Sequence, residues 1–378
     1  MRVLVIGAGI GGLAAASALR DHGHEVDVVE VKPTMSVYGV GINQPANSLR
    51  ALRAIGVLDQ IQAVGFGYDH TDFYDHLGEH VVHVDSGLGG DVPANTALSR
   101  GELHRILGAA AESRDVKVAY GTVVEDLADD GEAVDVTLSD GRRERYDLVA
   151  AFDGISSATR RRVVGPEADA VHSGFGVWRV TLPRPADLTG VRVYQGIDCK
   201  VGFIPLSRAT MYMFVVTPDP EGVKHPRETM GATLRARMIG FEGLPGEVRD
   251  GLRDDDDYVY SPISDVLLPL PWFRGRVGIL GDAAHACAPH LTQGAGMALE
   301  DAVVLAESLD GPGPLEERLR AFEARRYPRV RLVQDASHAI LAAEMAIDDD
   351  NRAAAFAGMR EHLPAQSAGL DAALNAPA

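Results

Sequence analysis

The stretch Val3-Leu4-Val5-Ile6-Gly7-Ala8-Gly9-Ile10-Gly11-Gly12, running on through Leu13 to Asp21 and then Glu25-Val26-Asp27-Val28-Val29-Glu30, decides the fold. Four consecutive apolar residues, 3 to 6, are the pattern of a strand buried on both faces. The Ala/Leu-rich run from Leu13 to Asp21 reads as a helix that Gly23 ends, and residues 25–30 read as the next strand, so the chain opens with a βαβ unit. Gly7-x-Gly9-x-x-Gly12 has the spacing of a dinucleotide-binding turn. Gly7 allows the tight turn, Gly9 lets the backbone approach a pyrophosphate, and Gly12 lets helix and strand pack closely. The helix N-terminus then offers free N–H groups to the phosphates. Glu30, 18 residues after Gly12, stands where an acidic side chain accepts hydrogen bonds from the ribose hydroxyls of an unphosphorylated adenosine. The turn predicts a bound dinucleotide without choosing which one.

Two segments further along read as strands of the same layer: Tyr146 to Phe152, running into Asp153-Gly154, and Arg276 to Leu280, running into Gly281-Asp282. Each ends at a glycine-containing turn, where open α/β sheets bind their ligands. Between them, residues 171–265 alternate β-branched and aromatic residues with polar ones, as in Val191-Arg192-Val193-Tyr194 and Met211 to Val216. That pattern predicts an antiparallel sheet with one wet face, to which residues 68–95 add strands. The fold class is therefore α/β, a Rossmann-like domain carrying an inserted, mainly antiparallel β-sheet domain and a C-terminal helical segment. The boundaries fall at 1–70, 96–170 and 266–363 for the dinucleotide-binding half and at 71–95 and 171–265 for the inserted half. A long helix is expected from Pro314 to about Ala346 with a kink at Pro328, and the tail 364–378 is expected to fray.

Composition narrows the function classes. The net charge of −18 disfavours nucleic acid and anionic membranes as partners. Two cysteines, Cys199 and Cys287, form no CxxC pair or disulfide framework. The first apolar run is too short for a signal segment or a membrane span, which predicts a cytoplasmic protein. His70, His76, His80 and His83 fit no standard ligand spacing, so no metal is assigned. No heptad pattern or interface stripe is visible, which leaves monomer and homodimer open.

Three separated motifs give the chain a resemblance over nearly its whole length to the para-hydroxybenzoate hydroxylase family of single-component flavoprotein monooxygenases. The first is the glycine turn. The second is Asp153-Gly154-Ile155-Ser156-Ser157-Ala158-Thr159-Arg160, although Asp153 or Ser156 also suits an ordinary helix N-cap. The third and most specific is Gly281-Asp282-Ala283-Ala284-His285, then Pro289, Gln293-Gly294-Ala295-Gly296 and Glu300-Asp301-Ala302. The resemblance implies bound FAD, with NADH or NADPH as a transient co-substrate. The implied FAD contacts are Gly7, Gly9, Gly11, Gly12, Glu30 and Val31 at the first motif, then Gly41 and Ile42 in a loop over the flavin ring, Arg100, Val124 and Asp153. At the third motif they are Asp282 on the ribityl chain, Pro289, and Gly294, Ala295, Gly296 and Met297 at a helix N-terminus facing the pyrimidine ring. His285 is assigned a structural place. The chain departs from the family at Ala46, usually Pro, at Thr292, usually Gly, and at Gly296, often Asn.

The chemistry so implied is hydride transfer to FAD, reaction with O2, and hydroxylation of a small aromatic or heteroaromatic ring by a flavin C4a-hydroperoxide. The substrate is expected between flavin and inserted sheet, lined by Asn43, Trp178, Arg179, Tyr194, Phe203, Tyr212, Phe214 and His290. Arg179 can pair with a substrate carboxylate or phenolate, and His290 or Tyr212 can help deprotonate a ring hydroxyl. Taken singly, each also suits a core aromatic or an ion-paired arginine. Two other readings stay open: another flavin oxygenation on this fold, such as epoxidation or ring opening, and a non-catalytic flavoprotein that sequesters a small molecule.

Overall fold

The computed structural model describes residues 1–36, 39–86 and 90–378. Its central layer is a six-stranded sheet in the spatial order Phe273–Arg274, Val277–Ile279, Leu148–Ala151, Arg2–Ile6, Glu25–Glu30, Lys117–Tyr120. All neighbours are parallel except the first edge pair. Val3, Leu4 and Val5 have no exposed surface, because helices cover one face and the meander Val124–Asp129, Val134–Leu138, Arg143–Tyr146 shares the core. Helix Ile10–Asp21 starts three residues earlier than its apolar run suggested, directly on the glycine turn. Its alanines let helices Arg100–Glu112 and Gly294–Leu309 pack against it.

The segment Tyr146–Phe152 is divided. Leu148–Ala151 joins the parallel sheet, whereas Tyr146 ends the meander and donates its hydroxyl hydrogen to Asp27 Oδ2 at 3.1 Å.

The second layer is a seven-stranded sheet in the order Val259–Asp265, Val171–Pro183, Thr210–Pro218, Lys200–Pro205, Val191–Gln195, His70–Asp75, His80–Asp85. It is mixed, because Val191–Gln195 runs parallel to His70–Asp75. Residues 87–89, inside the segment expected to add strands, lie outside the described residues. Asn95–Ser99 pairs elsewhere, in a small sheet with Gly41–Pro45 and Phe66–Tyr68.

The expected wet face is confined to the edge strand His80–Asp85, where His80, His83 and Asp85 are exposed, and the central strands are covered on both sides. One face packs Trp178, Phe203, Met213 and Val215 under helices Arg227–Arg237 and Leu244–Gly251. The other packs Val177 and Val216 against Ala288 and Leu341.

The long helix spans Leu315–Met345 with Pro328 inside it. The predicted fraying tail is corrected: Arg352–Asn375 is one helix, and Leu374 is buried. Its last carbonyls, which an α-helix leaves unpaired, accept hydrogen bonds from Arg329, and Arg325 donates to Ala378 O. Among the described residues no helix is long and apolar enough to cross a membrane, and no group of three or more ligating side chains is arranged to hold a metal.

Candidate functional site

The glycine turn shows why its residues are glycines. A Cβ on Gly12 would lie 1.9 Å from Gly7 O, and one on Gly7, whose φ is +101°, would lie 2.5 Å from Phe152 O. On Gly11 it would meet Phe152 Cδ1 at 2.8 Å. At Gly9 it would meet nothing within 4 Å, because Gly9 borders a cavity of about 570 Å³. The same cavity is lined by Gly7, Glu30, Val31, Arg100, Val124 and Asp153, bringing six of the expected cofactor contacts together with Gly9.

Glu30 accepts Ala8 N–H at 2.8 Å through Oε2 and Lys32 N–H at 3.0 Å through Oε1. A carboxylate has capacity beyond those two bonds. Asp153 accepts Thr159 N–H at 3.0 Å through Oδ2, while its buried Oδ1 has no partner. The helix cap itself is Ser157, which accepts Arg160 N–H at 2.8 Å. A cradle open at Gly9, a carboxylate at the end of the second strand and an unused buried acceptor fit the adenosine diphosphate half of a flavin dinucleotide.

The third motif folds into a buried ion network. Gly281 N–H and His285 Nε2 both meet Asp301 Oδ2, at 3.0 and 2.6 Å. Arg326 donates from Nε to Asp301 Oδ1 at 2.8 Å and from Nη1 to Glu300 Oε2 at 2.6 Å. Asn47 bridges Glu300 Oε1 and Gln293 Oε1, each at 2.9 Å. Burial alone would raise the Asp301 pKa, but His285 and Arg326 bring it down to about 2. His285 therefore belongs to the framework that aims helix Gly294–Leu309.

Gly294 and Ala295 are partly exposed at the head of that helix, and Asp282 is exposed close by. A Cβ on Gly294 would lie 3.9 Å from Asp282 Oδ1. Pro289 opens the short turn Pro289–Leu291 before it. Gly296 packs on Ser48 instead, and Met297 is buried beside Arg326, so neither side chain position lines the open site.

Thr292 adopts φ 55°, a left-handed conformation uncommon for a β-branched residue, and its hydroxyl accepts a hydrogen bond from Asn43 Nδ2 at 3.1 Å. This is how a threonine takes the place of the family's glycine. Gly41 is backed by Tyr212 and Leu206, and Ile42 packs at the edge of the core beside it.

The substrate candidates divide by strand parity. Cross-strand pairs Arg179↔Phe214, Thr181↔Tyr212 and Phe214↔Gly202 put Arg179, Tyr212 and Phe214 on the face toward the dinucleotide-binding half. Asn43 and His290 lie on that side too. Trp178, Tyr194 and Phe203 have the opposite parity and fill the core under the outer helices. Trp178 donates Nε1–H to Thr217 Oγ1 at 3.1 Å, and Tyr194 stacks on Tyr74 at 4.8 Å. The period of two sends neighbouring residues to opposite faces, so these three do not reach the candidate site.

Arg179 makes no hydrogen bond or ion pair among the described residues. Burial lowers its pKa and the nearby Arg100 adds to that, opposed by Tyr212. Burial pushes the Tyr212 hydroxyl up to about 12, and burial with Lys200 and His338 pushes His290 down to about 2. At neutral pH these directions make Tyr212 a hydroxyl donor and His290 a neutral imidazole. Lys200, Gln195 and Glu344 also lie on this side and escaped sequence reasoning. Lys200 shares parity with Gly202 and Phe214, a signal available once the strands are paired. Glu344, near the end of a long helix, belongs to no motif.

The FAD binding domain model matches residues 1–337. The 2-heptyl-3-hydroxy-4(1H)-quinolone synthase of Pseudomonas aeruginosa is 34% identical over 347 residues, covering 89% of this chain and 88% of the relative. The 6-hydroxynicotinate 3-monooxygenase of Pseudomonas fluorescens is 31% identical over 359 residues, with 89% and 90% covered. A crystal structure of Klebsiella pneumoniae HpxO with FAD and uric acid superposes with a TM-score of 0.88 at 27% identity, covering 99% of this chain and 96% of that one. Glycine cradle, ion-locked third motif and full-length matches agree, and the chain belongs to the FAD binding domain family of FAD-dependent aromatic-hydroxylase monooxygenases.

Proposed function

We propose that this chain hydroxylates a small aromatic or heteroaromatic substrate with O2, using NADH or NADPH as reductant. In this reading Glu30 holds the adenosine ribose, Arg100 and Asp153 flank the pyrophosphate, Asp282 meets the ribityl chain, and the free N–H groups of Gly294 and Ala295 face the pyrimidine ring. FAD, when bound, supplies the electron transfer and oxygen activation that side chains cannot. The residues of the chain bind, orient and exclude water. Arg179 holds an anionic substrate group, Phe214 provides an aromatic wall, and the Tyr212 hydroxyl donates a hydrogen bond. Residues 1–70, 96–170 and 266–363 serve the cofactor and 71–95 with 171–265 the substrate.

The observation that carries the reading is Arg179, a partly exposed cation without a counter-ion among the described residues, on the face turned to the cofactor half. Uncompensated charge drawn out of water is costly and persists where a ligand completes it. One named relative makes a quinolone and another is a monooxygenase of 6-hydroxynicotinate, which supports a heteroaromatic ring. The test is NAD(P)H oxidation by FAD-loaded protein against hydroxylated benzoates, pyridines and quinolones, with product mass. Substrate-stimulated oxidation with one added oxygen atom is expected. Bound FAD with no stimulation by any ring would replace the catalytic reading with sequestration.

A further inference from the structure

A second polar group lies on the same face of the seven-stranded sheet, away from Arg179. Arg179, Phe214 and Gly202 are in register across three adjacent strands, and Lys200 is two residues along from Gly202. Two strand spacings and two residues put the Arg179 and Lys200 Cα atoms on the order of 12 Å apart. The Phe214 ring covers Gly202 between them: a Cβ there would lie 2.1 Å from Phe214 Cζ. The Phe214 ring thus lies on the sheet face between two cations of opposite circumstances.

Arg179 has no partner among the described residues. Lys200, 7% exposed at its side chain, is ion-paired to Glu344 of the long helix. His290 completes the group. Its side chain is 1% exposed, its Nε2 lies 3.4 Å from Glu344 Oε2 without hydrogen-bond alignment, and neither ring nitrogen has a partner. Gln195 donates Nε2–H to Glu344 O at 3.1 Å, tying the helix end to the sheet. His290 is two residues before Thr292 and four before Gly294, so the group sits beside the loop that leads into the cofactor-facing helix.

The chemistry of this group differs from that of Arg179. Lys200 and Glu344 neutralise each other, and a neutral His290 adds no charge, so an anion gains little there. The free capacity is a donor and an acceptor side by side: the remaining ammonium protons of Lys200, the Glu344 oxygen Oε1, and both edges of His290. The complement is a neutral ring edge carrying one N–H beside one C=O.

We propose that Lys200, Glu344 and His290 form the specificity-determining subsite of this enzyme. They read the N–H/C=O edge of a heteroaromatic lactam while Arg179 holds an anionic group at the other end of the ring. Glu344 accepts the ring N–H, and Lys200 or His290 donates to the carbonyl. The inference rests on the hydroxylase reading for the identity of the pocket, not for the recognition chemistry.

The test is equilibrium binding to the FAD-loaded protein, followed by the change in flavin absorbance. The probes are matched pairs: 6-hydroxynicotinate in its lactam form against 4-hydroxybenzoate, and 2-quinolone against 2-naphthol. The expected result is a lactam preference of about tenfold or more within a pair, the effect of a charge-assisted hydrogen bond. Glu344→Gln and Lys200→Met each bring that ratio to near unity with FAD content unchanged. Arg179→Met weakens both members of the carboxylate pair alike and keeps the ratio. Should Glu344→Gln fail to retain FAD, the double variant Lys200→Met/Glu344→Leu removes the ion pair as a unit, and the ratio is read there. Equal affinity within both pairs, no binding of any probe, or an unchanged ratio in the variants would each overturn the proposal. A lactam preference without stimulated NAD(P)H oxidation would leave the subsite standing and reject the hydroxylase reading instead.

Discussion

Two arginines of opposite circumstances divide this molecule between them. Arg326 is fully satisfied: Asp301, Glu300 and the Met297 carbonyl take its donors, and no part of its side chain is exposed. Arg179, on the inner face of the seven-stranded sheet, has no partner among the described residues. Withdrawing a guanidinium from water is expensive, in part at Arg179 and in full at Arg326. In the first the expense is offset by carboxylates from the helix it anchors. In the second it is left open on the face turned to the cofactor half. A closed ion network is read as framework, and an open one as a place for a ligand.

Breaking the closed network has the largest expected effect. Arg326→Met leaves Asp301 buried with His285 alone and Glu300 with Arg329 alone, and should cost about 3–5 kcal/mol of stability, read from denaturant unfolding, with loss of bound FAD. A variant that kept wild-type stability would remove the distinction drawn here. The matching change, Arg179→Met, should leave stability unchanged or slightly raised, and weaken binding of a carboxylate-bearing ring by about 10- to 100-fold in titrations. Loss of stability on the scale of Arg326→Met would make Arg179 a framework residue too.

A third effect depends on pH. His290 titrates near 2 in the folded chain against 6.5 as its ordinary value. Below pH 6.5 the unfolded chain therefore binds a proton that the folded one refuses, and stability falls as pH falls. At pH 5 the loss is about 2 kcal/mol, about 1.4 kcal/mol for each unit below the ordinary value. A His290→Asn variant should show a flatter melting temperature between pH 7 and 5, and an unaltered slope would show that His290 is not held neutral. The smallest effect is at Thr292. Thr292→Gly relieves the left-handed strain, about 1 kcal/mol, but gives up a hydrogen bond from Asn43 of similar worth. Stability should barely move, and differential scanning calorimetry would detect a shift beyond about 1 kcal/mol.

How much of this was legible in the sequence follows the range of each signal. The βαβ opening, the glycine turn and the third motif could be read because their geometry is local: Gly7 and Gly12 are forced by atoms within a few residues or on the adjoining strand. Glu30 could be placed because strand length fixes where it ends. The split of Trp178 from Arg179 was also written in strand parity, but which face met the cofactor half depended on helices 227–237 and 244–251 covering the other. The supposed wet face failed over the central strands for the same reason, since alternation reports polarity and not what covers it. Glu344 was out of reach, because only the packing of the long helix on Gln195 brings it to Lys200. The last helix was mistaken for a tail because alanine-rich sequence near a terminus does not reveal that arginines 44 to 53 residues upstream will hold its carbonyls.

That last helix has a consequence for how the protein is made. Arg329 bonds both the carbonyls near Leu374 and the carboxylate of Glu300, which in turn holds Asn47 beside Gln293. The seat of the cofactor-facing helix thus draws on stretches around residues 47, 300, 329 and 374. A ribosome delivers these in order, and the first must wait for the last. The glycine cradle can form early in synthesis, while the flavin-ring end of the site closes only when the final helix has emerged.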